Sequence, residues 1–398
     1  MLALFAWYVF SIFFGMQTSV LGVPVIAVGF VMAAAAYLYG AFKKKALLPA
    51  LKVHVPLTLL VAQGILWVLL SYLGLKNWLP GAAHVAFEGG YIPRHAYYLA
   101  LLPLIAFAPY LSDGEGIFRF LRQYSLLVPV AFFAVKSCVC FGFVVTPTTM
   151  ILLAFCSLIA DGTYKYFKAA NWIAFALFLI IPGDTFGNST VLLIKAVYAA
   201  LFLGKALLKN RQWILYLLTA LVPAILLVSF LLPQLPGLYQ KIDDRNTLWR
   251  VSCWAAEEQT IAATYGIGTG YGTAYIGDDS PLVNSAEFLA DDTYSAEERI
   301  FVTGPHNSFV AVTYRMGVLG LALFVWFLLL VWRGILRHKT GEQFTLAFLF
   351  CSSILLISTN NGLESPVYFV VFLTAFYLIS ARLGRPQSPA PEKEAAEG

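Results

Sequence analysis

Charge is what this sequence has least of. Only 12% of its 398 residues are Asp, Glu, Lys or Arg, while 60% are apolar. A soluble domain usually carries about a quarter charged residues, so a water-soluble globular protein is excluded and the chain reads as a polytopic membrane protein. Nucleic acid is not an expected partner. The net charge is +5, but the basic residues sit in short clusters between apolar runs, which reports membrane orientation rather than a basic binding face. Cysteine is also sparse. Cys138, Cys140, Cys156 and Cys351 fall in apolar runs and Cys253 stands alone in a polar one, which excludes a disulfide framework and a thiolate metal site. No D-x-D spacing occurs, and the doublets Asp278-Asp279 and Asp291-Asp292 read as solvated loop carboxylates, so neither metal nor cofactor is expected. The first apolar run, LALFAWYVFSIFF, lacks a basic n-region and a small-residue cleavage site, and is read as a span rather than a cleaved signal.

What is abundant is long apolar runs. Crossing the hydrocarbon takes about 20 mainly apolar residues, and cutting at charge and Pro/Gly punctuation predicts an all-α fold with about twelve spans. These lie near 2–16, 20–42, 53–72, 96–111, 124–143, 146–160, 171–183, 190–208, 212–232, 307–332, 343–360 and 366–381. With the N-terminus in the cytoplasm, KKK (43–45), RFLR (119–122), KYFK (165–168), KALLKNR (205–211), RGILRHK (333–339) and RLGR (382–385) share one side. Both termini are then cytoplasmic. Four regions follow: an N-terminal bundle at 1–232, a large outer loop at 233–306, C-terminal spans at 307–385, and a Pro/Ala/Glu-rich tail at 386–398 expected to be disordered.

The outer loop breaks the pattern of short connections. It holds eleven acidic and four basic residues with Trp249 and Trp254, and loops this long are usually functional. Within it RNTLWRVSCWAAEEQTIAATY predicts a helix with Leu248, Val251, Ala255 and Ala262 on one stripe along the outer membrane surface, ended by GIGTGYG. Pro305 is a favoured first helical residue and Gly304 a possible cap, which places His306 in the first turn of the tenth span. The positive end of a helix disfavours imidazolium, leaving His306 either a neutral base near a phosphate or an interfacial side chain bonded to a loop carbonyl. Arg245 is either a bidentate clamp for a diphosphate or a counter-charge to nearby carboxylates. Arg250, five residues on, lies about 140° around a regular helix from it. Arg315, nine residues past His306, falls on another face, and a structural pair with Glu364 is expected. Glu364 alternatively lines an acceptor cleft.

The order RNTLW (245–249), GIGTGYG (266–272), HNSF (306–309) and GVLGLALF resembles the C-terminal region of the O-antigen ligase and Wzy polymerase superfamily. The resemblance covers about Asp243 to Phe324 directly, and the twelve-span topology extends it over the chain. It implies a metal-independent, inverting membrane glycosyltransferase of the GT-C type in a bacterial inner membrane, with the large loop periplasmic. The implied donor is an undecaprenyl-diphosphate-linked glycan, and the acceptor is lipid A-core for a ligase or a lipid-linked glycan for a polymerase; a protein hydroxyl is a third possibility. His306 would activate the acceptor hydroxyl, Arg245 would hold the leaving diphosphate, and Asn307 would orient His306 or a sugar hydroxyl. The family's second Arg has no counterpart in GDTFGNSTVLLIK (183–195). Lys195 and Arg94 are the candidate substitutes; alternatively Lys195 pairs within the membrane and Arg94 snorkels to head groups. A lipid-linked glycan transporter, with Lys136, Lys195 and Arg315 along its path, is the competing class. The chain shows no pair of related halves, and the single large loop favours the enzyme.

Overall fold

Helices form where the apolar runs predict them, and the centre of the bundle is the run least able to face water. In the computed structural model, every residue from Gln343 to Ser358 of helix α12 (Gln343–Thr359) is buried. A helix apolar all round has no polar face to present and goes to the middle of the bundle. Around it pack α6 (Ser189–Leu207), α11 (Ser308–Arg337) and α13 (Pro366–Leu383). The structure describes residues 19–20, 23–24, 39, 54–82, 85–111, 113–125, 147–160, 189–207, 212–239, 241, 245–277, 280–285, 295–360 and 362–384, with short pieces between 172 and 180. The expected span near 2–16, nearly all of those near 20–42 and 124–143, Lys136, both Asp doublets and the 386–398 tail lie outside these residues; the start of the 20–42 run is described at 20 and 23–24, where it is paired strand rather than helix.

The protein is mostly helical. Besides the helices, Ser19–Val20 pairs antiparallel with Val23–Pro24, and Phe87 bridges Thr273. Among the described residues four helical stretches are long and apolar enough to cross a membrane: α1 (Val55–Tyr72), Thr190–Leu207 of α6, Gln212–Gln234 and α11. A bent pair, Gly89–Tyr110 with Gly114–Tyr124, would make a fifth, and α12 and α13 are shorter apolar helices. Leu59, Ile65, Leu66 and Leu69 on α1 and Trp213, Leu217 and Leu227 on the Gln212–Gln234 stretch point outward from the bundle. Such apolar surface on single helices is what a hydrocarbon solvent requires.

Two expected spans are broken. The one near 96–111 is α2 (Ile92–Leu101) followed by α3 (Pro103–Leu111), because Pro103 cannot continue the hydrogen-bond ladder. The one near 212–232 is α7 (Gln212–Leu218) and α8 (Leu221–Leu231), interrupted a few residues before Pro223. Remaining elements are α4 (Gly114–Tyr124), α5 (Pro147–Ala160), α9 (Arg245–Ala263) and α10 (Ala296–Val302).

The loop helix α9 does not bury the predicted stripe. Leu248 and Ala255 are only partly covered and Ala262 is exposed, while Trp249, Val251, Cys253, Trp254, Glu257, Glu258 and Ile261 are buried. Contact with α11 on one side and the end of α8 on the other makes the covered face wider than one stripe, centred on the two indoles.

The Gly-rich segment after α9 packs into a break in α11. Gly317 there has φ 74° and ψ −175°, which frees the carbonyls just before it from the helical ladder. They are taken up by Thr269 N–H to Tyr314 O (2.7 Å), Gly270 N–H to Arg315 O (3.0 Å) and the Gln63 amide to Met316 O (2.8 Å). The Val318 N–H returns a bond to Gly266 O at 2.9 Å. Non-helical backbone at membrane depth survives only where protein satisfies it, as here.

Candidate active site

Residues that the sequence separates by tens of positions converge where α9, α11 and α12 meet. The start of α11 sets the geometry. The helix begins at Ser308, not at Pro305, and Asn307 is its N-cap, accepting from Phe309 N–H (3.0 Å) and Val310 N–H (3.4 Å). Asn is among the strongest caps because its side-chain oxygen satisfies the orphan donors, which Gly304 cannot do. His306 therefore precedes the helix instead of lying in its first turn. The fully buried Asn307 also donates to Ser229 Oγ at 2.7 Å, so its side chain is spent on the cap and on α8 rather than turned to a ligand.

His306 itself has φ 51°, left-handed backbone that a residue with a Cβ adopts only under constraint. The constraint is visible on both sides: the Asn307 cap follows it, and the Trp254 indole N–H donates to Pro305 O before it. The half-buried ring meets Trp249 edge-on, with centroids 5.9 Å apart. Burial, then the neighbouring Arg250 charge, brings the imidazole pKa from 6.5 down to about 3. The ring is neutral at any working pH, as the sequence predicts, but desolvation and a guanidinium rather than the helix dipole are responsible.

Arg250 donates to Thr359 O at 2.9 Å, tying α9 to the end of α12. Thr190 Oγ1 donates to Thr359 Oγ1 at 2.7 Å, bringing the head of α6 to the same point. Arg245 opens α9, but its side chain lies outside the described residues. Lys195 is five residues deeper on α6 than Thr190, buried, with Nζ donating to Leu179 O at 3.3 Å. That spacing is about 7–8 Å along the helix axis, so Lys195 sits below the level of Arg250's contact. Arg94 is exposed on α2. Its charge acts on Glu364, not on His306.

A second, dry cluster lies behind the site. Arg315 pairs with Glu364 at 3.2 Å, with the two side chains 0% and 4% exposed. It donates to Thr273 O (2.7 Å) and Thr273 Oγ1 (2.6 Å), and lies 4.1 Å over the Tyr275 ring. The Tyr275 hydroxyl donates to Glu364 as well. Glu257 approaches from α9 with neither carboxyl oxygen hydrogen-bonded among the described residues. Burial pushes its pKa well up, against the pull of Arg315. Leu363 N–H donates to Ser308 Oγ at 3.0 Å, so the Glu364 loop and the start of α11 move as one.

Sequence reading gave Trp254, the anchor of the Pro305 carbonyl, no role, and took Glu257 and Glu258 only as counter-charges to Arg245 and Arg250, whereas both are buried. Glu258 accepts from the Gln234 amide and has its pKa raised from 4.5 to about 7, chiefly by burial. The available signal was spacing: Glu257 continues the four-residue repeat Trp249, Cys253, Ile261, so it sits inside an apolar stripe. His95 was missed too. Gly272 N–H donates to its Nδ1 at 3.3 Å, which leaves Nε2 as the donor to Phe301 O at 2.8 Å and ties α2 to the Gly-rich segment and α10.

Residues 173–325 match the family model Wzy_C, described as O-antigen ligase. Over these residues the chain is similar to the O-antigen ligase family. No curated protein and no solved structure matches the chain. The Wzy_C segment runs through α9, the Gly-rich turn, His306 and the Gly317 break, and stops before Thr359 and Glu364. Thr359, which accepts from Arg250, and Glu364, which pairs with Arg315, therefore lie outside the matched segment.

Proposed function

We propose that this protein is an O-antigen ligase-type glycosyltransferase that moves a glycan from undecaprenyl diphosphate to a sugar hydroxyl, of lipid A-core, at the periplasmic face of a bacterial inner membrane. The observation that carries the reading is a neutral imidazole on strained backbone, beside a guanidinium, within the Wzy_C segment. A sugar hydroxyl is a poor nucleophile helped by a base, and a diphosphate leaves readily once its charge is compensated. The acceptor oxygen attacks the anomeric carbon opposite the diphosphate and its proton passes to His306. The carbon–oxygen bond to the carrier breaks with its electron pair on the diphosphate, which Arg245 neutralises. The configuration inverts, and neither metal nor cofactor takes part.

Burial is the larger cause of the low imidazole pKa and the Arg250 charge the smaller, so a diphosphate beside Arg250 would offset only the smaller one. In this reading Asn307 is a positioning residue, Lys195 or Arg94 supplies the charge of the family's missing arginine, and Glu364 holds the loop beside the acceptor.

The test is a deletion strain complemented with wild-type or His306→Ala protein at matched levels, comparing lipopolysaccharide ladders with the lipid-linked glycan pool. Bare core with long lipid-linked polymer accumulating identifies a ligase; core bearing a single repeat identifies a polymerase with the same donor chemistry. A normal ladder with His306→Ala removes the catalytic assignment.

A further inference from the structure

The end of the bundle away from His306 holds a second built site. Thr359, at one end of α12, takes the Arg250 hydrogen bond, and Glu342 caps the other end of that 17-residue helix. At 1.5 Å per residue the two ends are about 25 Å apart. Around Glu342 gather the last turns of three other helices, carrying Arg122 (α4), Lys205 (α6) and Arg382 (α13). With Arg119 and Glu115 they line a cavity of about 500 Å³. Four cations against two carboxylates leave it with a net charge of +2.

The arginines are held, not merely near. The Glu342 carboxylate takes Arg122 Nη2 at 2.7 Å on one oxygen and Arg382 Nε on the other, setting two guanidinium groups side by side. Arg122 Nε is buried without a hydrogen-bond partner among the described residues. Among the described residues Arg119 pairs with Glu115, both largely exposed, an arrangement that holds it weakly.

The cavity wall also includes Leu158 and Ile159 of α5 and Thr345 of α12, so apolar side chains border the cationic chamber on its bundle side.

We propose that this chamber binds the phosphodiester headgroup of an anionic glycerophospholipid. Guanidinium forks match phosphate oxygens, and helix ends lie at headgroup level. In the orientation expected from the basic loops, the lipid belongs to the cytoplasmic leaflet, opposite the transfer chemistry.

Native mass spectrometry of the detergent-purified full chain, titrated with phosphatidylglycerol or phosphatidylcholine of identical chains, tests this. Phosphatidylglycerol should bind at one site at least tenfold more tightly than phosphatidylcholine. Arg122→Gln should remove most of that preference, and Arg119→Gln, an exposed change that leaves the fold intact, should reduce it severalfold. Glu342→Gln removes a competing carboxylate and should not weaken binding. Equal binding of the two lipids, or a preference unchanged in both arginine variants, overturns the proposal. Inorganic phosphate competing at the lipid's own affinity overturns the lipid assignment in favour of a simple anion pocket.

Discussion

The indole N–H of Trp254 donates to the carbonyl of Pro305, the residue immediately before His306. The two are 51 positions apart, and the bond fixes the peptide that aims the imidazole. A positioning bond of this kind predicts a particular mutant. Trp254→Phe keeps the aromatic packing against Val251 and Val310 but loses the donor. A hydrogen bond is worth about 1 kcal/mol net, so glycan transfer by purified protein should fall about fivefold while yield and melting temperature barely move. Loss of both together would make the contact purely structural.

The pH dependence of stability has a defined sign at His306. Its pKa is 6.5 when exposed and about 3 in the folded protein. Below pH 6.5 the unfolded chain takes up a proton that the folded one refuses, so stability drops as pH falls from 6.5 towards 3. The wild-type melting temperature in detergent should decline more steeply than that of His306→Ala between pH 7 and 5. Parallel declines would mean that the ring is solvated.

Glu258 runs the other way. Its folded pKa of about 7 exceeds the ordinary 4.5, so between these values the unfolded chain has released a proton that the folded one keeps. Stability from this group is present below pH 4.5 and is lost as pH rises through 7. Glu258→Gln keeps a neutral partner for Gln234 and should gain in melting temperature relative to wild type at pH 8, with little difference at pH 5.

Gly317 should tolerate no side chain. A Cβ there would stand 2.3 Å from Gly266 O and 2.4 Å from Ile267 O, at a φ of 74°. Gly317→Ala must push the Gly-rich segment out of the helix break and unpair the Tyr314 and Arg315 carbonyls. The expected cost is about 3 kcal/mol or more, read as lost folded yield and a lowered melting temperature.

The Arg315–Glu364 pair should respond unequally to its two partners. Arg315→Met takes from Glu364 its paired cation and from Glu257 the charge that offsets its burial, and breaking a buried pair in that way costs about 3–5 kcal/mol. Glu364→Gln leaves Glu257 facing the guanidinium and should cost clearly less by denaturant or thermal unfolding. Equal losses would show that Glu257 does not share the charge.

Composition and periodicity by themselves determined the solvent and the secondary structure. An apolar fraction of 60% needs a bilayer, and the runs near 53–72, 190–208, 307–332, 343–360 and 366–381 became helices close to those limits. The ordered motifs at 245–249, 266–272 and 306–309 identified the family segment that the Wzy_C match covers. Helix ends were less legible. Pro305 and Gly304 looked like a start signal, but the Asn307 side chain satisfied two orphan donors and won.

Only the tertiary structure decided which side chains face one another. Trp254 and Pro305, Arg250 and Thr359, and Gly317 and the Gly-rich segment are separated by 51, 109 and about 50 residues, distances at which no local propensity acts. Buried polar groups must find partners wherever the chain brings them, and that requirement selected these contacts. The low pKa of His306 has the same origin. It follows from burial and from the Arg250 charge that the fold brings alongside, neither of which a linear pattern encodes.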